Sequence, residues 1–509
     1  MRRLTYLSLS NANFGRRIPS GLGNLTSLQI LDLSGVGLGR EHNLFQLVEL
    51  TRLDISSNKL DGIISDGKEW SSIMHNLQFV NLSHNHINGP LPKEIGNIMP
   101  NLEQFLLGSN LINGSIPNSL CQTELYSLDL SKNKLSGEIP NCWRGTQPWE
   151  EINLSSNKLT GVFPSSFWNL SSLVWLHLNN NNLKGKFPMA ANVLMDLLIL
   201  DVGENQLSGT IPPWITDTFP SLQILRLKQN NFTGSIPSQL CQLSALKILD
   251  LSRNNFEGSI PSCLGYLRGM ILEKENKDWN MGTFPGYQWY NEDVKQVMKG
   301  EEYDYIVILK LVVNMDLSEN KLVGLIPNEI TFLTGLHGLN LSHNHLEGVI
   351  PEMIGDMKSL ESFDLSHNKL SGNIPNRITS LTSLSHLNLS YNNFSGPVPR
   401  DNQFLTYNPS VYAANPYLCG HELPNKCPGD DSGEVPRSKG YEDNDDEDGK
   451  KVGFASGFWG VIGVLIVKKS WRYACFRWVE DATDEVYVIV VIKVAKLKKW
   501  YVRRNHVDV

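Results

Sequence analysis

The sequence lacks the residue groups on which catalysis usually depends. It contains no phosphate-binding loop and no HRD or DFG motif, and the segment from residue 468 onward is too short for a kinase domain. Histidines in phrases such as "SHNHLEGV" are explained more simply as solvated turn residues than as metal ligands. An evenly spaced column of aspartates is explained more simply as a repeat position than as catalytic acids: Asp54, Asp129, Asp250, Asp316 and Asp364. We therefore expect no enzymatic activity, no cofactor and no metal site.

A strong charge imbalance and a long apolar run are also missing. The 45 Lys and Arg against 52 Asp and Glu give a net charge of −7, which excludes little, and we expect no nucleic-acid partner. The uncharged run "VGFASGFWGVIGVLIV" at 452–467 would span roughly 24 Å as a helix, less than a ~30 Å hydrocarbon core. Flanking Lys and Trp side chains can compensate for the difference. We predict a transmembrane helix here; a buried core element is the alternative.

The charges on either side of this run predict its orientation. An acidic segment at 431–451, with "EDNDDED", precedes it, and a short basic tail at 468–509 follows it. The positive-inside rule therefore places the tail in the cytoplasm and everything before the run outside. Gly453 and Gly457 form a GxxxG step that would let another helix approach closely.

Most of the chain consists of a repeat of about 24 residues with the phrase LxLxxNxLxGxIP, as in "LDLSKNKLSGEIP". A period of this kind predicts a solenoid, here an α/β leucine-rich-repeat superhelix with a parallel concave sheet. We count 15 coils, and the first two carry Ala12 and Val36 at the asparagine position. The asparagines at this position in the other 13 coils form what we call the asparagine ladder. They are Asn58, Asn85, Asn110, Asn133, Asn157, Asn181, Asn205, Asn230, Asn254, Asn320, Asn344, Asn368 and Asn392.

The chemistry of one coil follows from its pattern. The LxL step alternates as a short strand, with leucines in the core and the residues between them on the concave face. The asparagine amide can satisfy backbone groups of adjacent coils that would otherwise be buried without partners. Gly and Pro permit and direct the next turn, and the following apolar run closes the convex side.

The ladder has one break of 66 residues, after Asn254. It indicates an island insertion at 265–310, rich in aromatic and charged residues, between an N-terminal block of 11 coils (1–264) and the last four coils (311–403). A cap at 404–430 follows, with Cys419 and Cys427 as a covalent closure. Insertions of this length are usually functional or disordered.

Cysteines and glycosylation sequons favour an extracellular location. The spacing places Cys121 near Cys142, and Cys241 near Cys263, one coil apart on one face, where a disulfide could form; buried free thiols are the alternative. Nine Asn-x-Ser/Thr sequons are present, although an Asn-rich repeat generates such triplets by composition. They are Asn24, Asn81, Asn113, Asn153, Asn169, Asn231, Asn340, Asn388 and Asn393.

Candidate ligand contacts are outward strand positions that depart from the repeat consensus. Exposed aromatic residues and arginines are the usual anchors of binding surfaces. We expect a peptide, glycan or protein ligand to contact Phe79, Leu106, Trp175, His177, Arg226 and Lys228.

The phrase LxGxIP is the plant-specific form of the leucine-rich repeat, and the whole chain resembles plant leucine-rich-repeat receptor-like proteins, the cell-surface receptors that lack a kinase. Tyr290, then Lys299-Gly300 and "EEYDYIVILKLVVNMDLSEN", is similar to the island of that family and its return to the repeats. "GFWGVIGVLIVKKSWRYACFRW" is similar to the family's membrane span and cytoplasmic start.

The resemblance implies a single-pass plasma-membrane receptor with extracellular repeats, which senses a pathogen- or self-derived ligand in plant defence or, less often, acts in development. It also implies an adaptor kinase paired through Gly453 and Gly457. A co-receptor kinase would be recruited with Tyr290, Lys299 and Gly300 of the island and with the last four coils.

Two alternative functions remain open at this stage. One is an inhibitor of secreted wall-degrading enzymes, built on the same repeat; the other is a non-functional truncated paralogue. Met1 opens directly into a strand pattern, "LTYLSLS", with no leader and no polar terminal cap. We therefore expect an N-terminally truncated product, whose repeats reach the cell surface only with a leader that this sequence does not contain.

Overall fold

One short strand from each of the 15 predicted coils joins a single parallel sheet, the concave sheet. The computed structural model describes residues 4–12, 22–39, 47–63, 75–190, 192–271, 294–298, 301–305, 312–420 and 423–427. In chain order and in sheet order, the strands are Tyr6–Ser8, Ile30–Asp32, Arg52–Asp54, Phe79–Asn81, Gln104–Leu106, Ser127–Asp129, Glu151–Asn153, Trp175–His177, Ile199–Asp201, Ile224–Arg226, Ile248–Asp250, Asn314–Asp316, Gly338–Asn340, Ser362–Asp364 and His386–Asn388. The predicted solenoid is confirmed. We number the coils 1–15 in this order.

The ladder asparagine connects each coil to the one before it. In coil 8, Asn181 Oδ1 accepts the Leu159 amide at 3.0 Å, and its Nδ2 donates to the Leu154 carbonyl at 3.0 Å and the Leu178 carbonyl at 3.2 Å. The same bonds recur from Asn58 to Asn392, and the asparagines are buried except Asn133 and Asn368, which are half-buried. The residue before each ladder asparagine has a left-handed φ of 51–58°.

A second set of strands, which sequence reasoning missed, follows the ladder in most coils. They form parallel lateral sheets because the xLxG part of the phrase alternates, with its leucine in the core and its neighbours outward. The five-stranded sheet contains Asp61–Ile63, His86–Pro90, Leu111–Gly114, Lys134–Glu138 and Lys158–Thr160. The nine-stranded sheet contains Lys184–Gly185, Gln206–Gly209, Asn231–Ser235, Asn255–Gly258, Lys321–Leu325, His345–Gly348, Lys369–Asn373, Asn393–Pro397 and Tyr417–Cys419.

Short helices close the convex side, where the apolar run after each Ile-Pro step was predicted to lie. Within the ranges that the structure describes, the two α-helices are Ile95–Ile98 and Ile215–Thr218. The 3-10 helices are Leu22–Asn24, Asn118–Gln122, Ser165–Asn169, Ser238–Gln242, Ser262–Tyr266, Arg268–Met270, Asn328–Phe332, Glu352–Asp356, Asn376–Ser380, Asn402–Thr406 and Pro409–Tyr412. Between these helices and the sheets runs one continuous core of leucine, isoleucine and aromatic side chains.

Three disulfides connect the residue pairs that the spacing placed together. Cys121 is bonded to Cys142 and Cys241 to Cys263, each pair with 5.7 Å between Cα atoms, on convex segments of adjacent coils. Cys419 is bonded to Cys427 after the last coil. Each of the first two bonds therefore fastens one coil to the next on the side opposite the concave sheet.

The concave sheet continues across the break in the ladder. Strand Ile248–Asp250 of coil 11 pairs directly with Asn314–Asp316 of coil 12, so that Leu249 lies opposite Met315. Coil 11 also extends past residue 264, because Leu267 and Met270 are still part of the core. Within the predicted island, Val294–Met298 pairs antiparallel with Glu301–Tyr305. Tyr290, Lys299 and Gly300 lie outside the described residues, and their roles stay predictions.

The cap continues the ladder for one more step, which the sequence analysis did not identify. Asn415 Oδ1 accepts the Phe394 amide at 3.0 Å, and its Nδ2 donates to the Leu389 carbonyl at 3.0 Å. Ala414 has the left-handed φ of the position before a ladder asparagine, here 55°. Tyr412 and Ala413 stand where the other coils have the leucine and polar residue of the repeat, which concealed the similarity.

Residues 428–509 lie outside the described part of the chain. The acidic segment, the predicted transmembrane helix with Gly453 and Gly457, and the basic tail therefore stay predictions. Within the ranges that the structure describes, no helix is both long and apolar enough to cross a membrane.

Replacement of Asn181 by alanine tests the ladder. We expect the free energy of unfolding to fall by about 2–4 kcal/mol, because buried backbone groups of two coils lose their partners. The matched control is Asn182→Ala, whose side chain is exposed and whose change should stay within ~0.5 kcal/mol. Denaturant titration of both variants measures the difference. Equal stability of the two variants would contradict the structural role of the ladder.

Candidate functional site

The six predicted ligand contacts all belong to the concave face, but they do not form one cluster. Phe79 and Leu106 lie in coils 4 and 5, Trp175 and His177 in coil 8, and Arg226 and Lys228 in coil 10. Leu106 is half-buried and Phe79 nearly buried, with the Arg52 guanidinium carbon 3.5 Å from its ring centroid. The four residues in coils 8 and 10 are 0–4% exposed. Whether any of the six contacts a ligand stays a prediction.

An apolar band lies where the concave strands of coils 8–12 begin. Its side chains point away from the leucine core, yet they are buried and form a second, separate cluster. It consists of Val174, Trp175, Leu198, Ile199, Ile224, Ile248 and Val312. The band ends with Ile248 of coil 11 and Val312 of coil 12, so it crosses the ladder break, and Val312 is the first residue that the structure describes after the insertion.

Beside this band, a row of charged side chains crosses the sheet in register. Arg226 lies between Asp201 and Asp250 on the flanking strands. Its guanidinium contacts Asp201 at 3.2 Å, Glu204 at 2.7 Å and Asp250 at 3.5 Å. Burial lowers the pKa of Arg226, but the carboxylates of Asp201, Asp250 and Glu204 outweigh it and hold this pKa above its ordinary value. Arg226 is thus a buried cation that holds three coils together.

The row continues with two carboxylates whose pKa values are raised. Asp316 lies opposite Asp250 across the ladder break. Burial raises the pKa of Asp250, against the effect of Arg226. Burial and the neighbouring Asp250 carboxylate raise the pKa of Asp316 to about 7, although Ser318 donates to it at 2.6 Å and 3.0 Å. The charge of this part of the face therefore changes near neutral pH.

The consensus aspartates have a local structural role wherever they occur. In each coil the carboxylate accepts the backbone amide of the residue two positions later, as Asp54 does from Ser56 at 3.0 Å and Asp364 from Ser366 at 2.8 Å. The bond closes the turn between the strand and the ladder asparagine. This geometry supports the interpretation of the column as a repeat position.

A polar groove of about 200 Å³ follows the charged row along coils 10–15. Small side chains such as Ser318, Ser342 and Gly338 leave its space open, and Asp364 and His386 contribute titratable groups. The groove begins at Lys228, the one predicted contact that lines it. The other predicted contacts were outward positions that depart from the repeat consensus, whereas much of this groove is lined by consensus serines, asparagines and aspartates.

Three stacked rings border the groove at the left-handed position of coils 13–15. The rings of His343 and His367 have centroids 4.1 Å apart, and those of His367 and Tyr391 are also 4.1 Å apart. Burial and the neighbouring His343 lower the pKa of His367, while Asp364 opposes this shift. The sequence analysis expected His343 to be a solvated turn residue, and it is exposed, as are His367 and Tyr391. The stacking itself was not predicted, although a ring recurs directly before the asparagine in three successive coils.

The predicted glycosylation sequons separate into two groups. Asn81, Asn153, Asn340 and Asn388 are half-buried on the concave sheet; Asn340, for example, accepts from Ser342 and donates to Asp316. The exposed asparagines lie on lateral strands or convex turns, and they are Asn24, Asn113, Asn169, Asn231 and Asn393. Exposure favours modification of the second group.

Comparison with known proteins gives consistent matches. Models of the leucine-rich-repeat family match residues 123–183 and 334–394 and, for single repeats, 3–25, 76–98, 221–243 and 245–267. Receptor-like protein EIX2 of Solanum lycopersicum is 44% identical over 518 residues, which cover 97% of this chain and 50% of that protein. The chain thus spans about half the length of this curated relative.

Two solved receptor structures share the fold. The Arabidopsis receptor kinase HAESA, in complex with the peptide hormone IDA and the co-receptor SERK1, aligns with a TM-score of 0.63 and 27% identity over 83% of this chain and 71% of that one. The plant peptide hormone receptor RGFR1, in complex with RGF2, aligns with a TM-score of 0.63 and 28% identity over 82% of this chain and 67% of that one. Repeats, strand order and relatives together show that this chain belongs to the plant leucine-rich-repeat receptor-like proteins.

Proposed function

We propose that this chain is the ligand-recognition part of a kinase-lacking receptor at the plant plasma membrane. The observation that carries the proposal is the polar groove of coils 10–15, which crosses the ladder break and lies on a parallel sheet without interruption. A site built from rigid strands holds its side chains in fixed positions, which reduces the entropy lost on binding. Nothing in this arrangement requires a chemical step.

An extended peptide is the ligand class that suits this groove best. A peptide lying across the strands would meet serine hydroxyls, asparagine amides and the Asp364 carboxylate, which together can satisfy its backbone groups. The stacked rings of His343, His367 and Tyr391 offer an edge against which side chains can pack. The peptide complexes of HAESA and RGFR1 support this choice by analogy of fold.

Signalling in this proposal depends on partner kinases, because the chain has no kinase motif of its own. An adaptor receptor kinase would pair through Gly453 and Gly457. A co-receptor kinase would join when ligand is bound, through the island residues Tyr290, Lys299 and Gly300 and through the last four coils. Defence against pathogens is the proposed setting, as the resemblance to receptor-like proteins implies.

Expression of the tagged full chain, behind a secretory leader, in plant leaf cells tests this function. We expect the repeats to be accessible to surface biotinylation and receptor kinases to co-purify from detergent-solubilised membranes. The matched control is the same chain with Gly453→Leu and Gly457→Leu, which removes the close helix approach proposed for adaptor pairing. A chain that reaches the surface but brings down no receptor kinase beyond the control would contradict the signalling role.

A second prediction concerns the groove itself. Peptides selected from a random-peptide display library on the purified chain should bind His386→Asp about tenfold more weakly, if they contact the groove through acidic or backbone carbonyl groups. The matched control is His345→Asp, which introduces the same charge on an exposed lateral strand. Equal affinities of both variants for every selected peptide would exclude the groove as the binding site.

A third prediction follows from the raised pKa of Asp316. Because the folded state holds this proton up to a pKa of about 7 while an unfolded aspartate releases it near ~4, the folded state binds more protons between these values. Its stability therefore falls as pH rises through this window. Asp316→Asn should raise the free energy of unfolding by on the order of 2–4 kcal/mol at pH 8 and by little at pH 4.

Denaturant titrations at both pH values measure this difference. Asp217→Asn removes the same charge from an exposed convex helix and serves as the control for net charge. A gain in the Asp316 variant that is the same at both pH values would show that the buried carboxylate is not its cause.

A further inference from the structure

A second groove, on the lateral side of coils 8–10, has no part in the proposed ligand site. Its volume is about 630 Å³, within the ~300–1,000 Å³ range of pockets that hold small organic groups. Phe187, Met189 and Trp214 form its apolar part. Its polar lining consists of Lys186, Ser208, Thr210, Asn231 and Thr233.

Core aromatic side chains pack against the apolar part of the groove and fix its position. The Trp214 and Phe187 rings lie 6.2 Å and 6.3 Å from the ring of Trp168, which is buried in the core. Phe163 stacks on Trp168 at 4.6 Å and also contacts Phe187 at 5.5 Å. Trp214 and Phe187 are therefore the half-exposed rim of a packed aromatic cluster, and the groove has a preformed apolar surface.

A predicted glycosylation sequon forms the opposite wall. Strand Asn231–Ser235 buries Phe232 in the core, so Asn231 and Thr233 project together on the outer face. Asn231 is exposed and lies opposite Ser208 on the neighbouring strand. An oligosaccharide attached at Asn231 would start at the edge of the groove.

We propose that this groove holds the first sugars of an N-linked glycan on Asn231. A pyranose ring has an apolar face of C–H groups that packs on aromatic rings, and an edge of hydroxyls that hydrogen-bond to groups such as Ser208, Thr210 and Lys186. The groove presents both kinds of surface within reach of the attachment atom. The glycan then covers apolar side chains such as Met189, which is 81% exposed in the bare chain.

The same chain contains a matched site without the groove. Asn393 follows ladder residue Asn392 in "NNFSG", as Asn231 follows Asn230 in "NNFTG", and both are exposed on lateral strands. At the positions equivalent to Trp214, Phe187 and Met189, the preceding coils there carry Arg377, Ile350 and Glu352. Arg377 is paired with Asp356 at 2.8 Å, and Ile350 is buried. The local sequences differ only by Thr233 against Ser395, and the aromatic surface is absent at Asn393.

The inference rests on the proposed cell-surface location, because N-linked glycans are added in the secretory pathway. The full chain is expressed behind a secretory leader in plant leaf cells, and glycopeptide mass spectrometry measures occupancy at Asn231, Asn393 and the exposed Asn113. The native protein is then treated with an endoglycosidase that cleaves between the first two sugars. We expect release from Asn231 to be about tenfold slower than release from Asn393, since cleavage requires the sugars to leave the groove.

Two variants connect this protection to the groove. Trp214→Arg and Phe187→Ile introduce the residues found at the matched site, and each should bring the release rate at Asn231 close to that at Asn393. Denatured protein, in which the groove is lost, should show equal rates at both sites. Asn231→Gln should lower the melting temperature of the glycosylated chain, and Asn393→Gln should not.

The outcomes separate this inference from the proposed function. If none of the three sites carries a glycan, the cell-surface location is wrong and the glycan proposal falls with it. If Asn393 or Asn113 is occupied and Asn231 is not, or if the native release rates are equal, the location stands and only the groove proposal is overturned.

Discussion

The buried asparagine amide is the interaction on which the rest of this structure depends. In each coil the chain turns at the end of its strand inside the molecule. Water cannot reach the backbone groups that this turn leaves without partners. From coil 3 onward, one asparagine per coil accepts an amide proton from the preceding coil and donates to carbonyls of both coils, as Asn181 does with Leu159, Leu154 and Leu178. The residue before it stays in a left-handed conformation that costs of order 1–3 kcal/mol for non-glycine residues. The amide network offsets this cost only when neighbouring coils are present.

Much of the fold could be predicted because these requirements recur at a fixed period. The strands of the 15 coils and the pairs Cys121–Cys142 and Cys241–Cys263 follow from aligning the repeats, and Cys419–Cys427 follows from its place after the last repeat. The lateral sheets were missed because the Gly and Pro of LxGxIP suggested a turn and obscured the alternation around Phe232 or Leu346. Asn415 was missed because Tyr412 and Ala413 replace the usual residues before it. In both cases the backbone pattern persists where the side-chain consensus fades.

The functional face was less accessible to sequence reasoning, for a physical reason. Periodicity shows which residues point outward, but burial of an outward residue depends on the coils beside it. Arg226 was predicted as a ligand contact, and the structure surrounds it with carboxylates from coils 9 and 11. The groove of coils 10–15 depends on serine and glycine, which no search for large anchor residues would select. Stacking of His343, His367 and Tyr391 likewise requires knowing that three turns are superimposed.

Arg226 shows that the outward-facing positions of this solenoid fall into two classes, which differ in how freely they can be substituted during evolution. A residue such as His386 is half-buried at the first position of its strand and lies outside the charged row of Arg226, so a substitution there removes no partner of a buried charge and can occur singly. The arginine is tied to Asp201, Glu204 and Asp250 on three coils, and removing one partner leaves buried charge uncompensated. Change in coils 9–11 must therefore occur by concerted substitution. In related receptors we expect Arg226 and its three carboxylate partners to be kept or replaced together, whereas outward residues of the later coils vary independently.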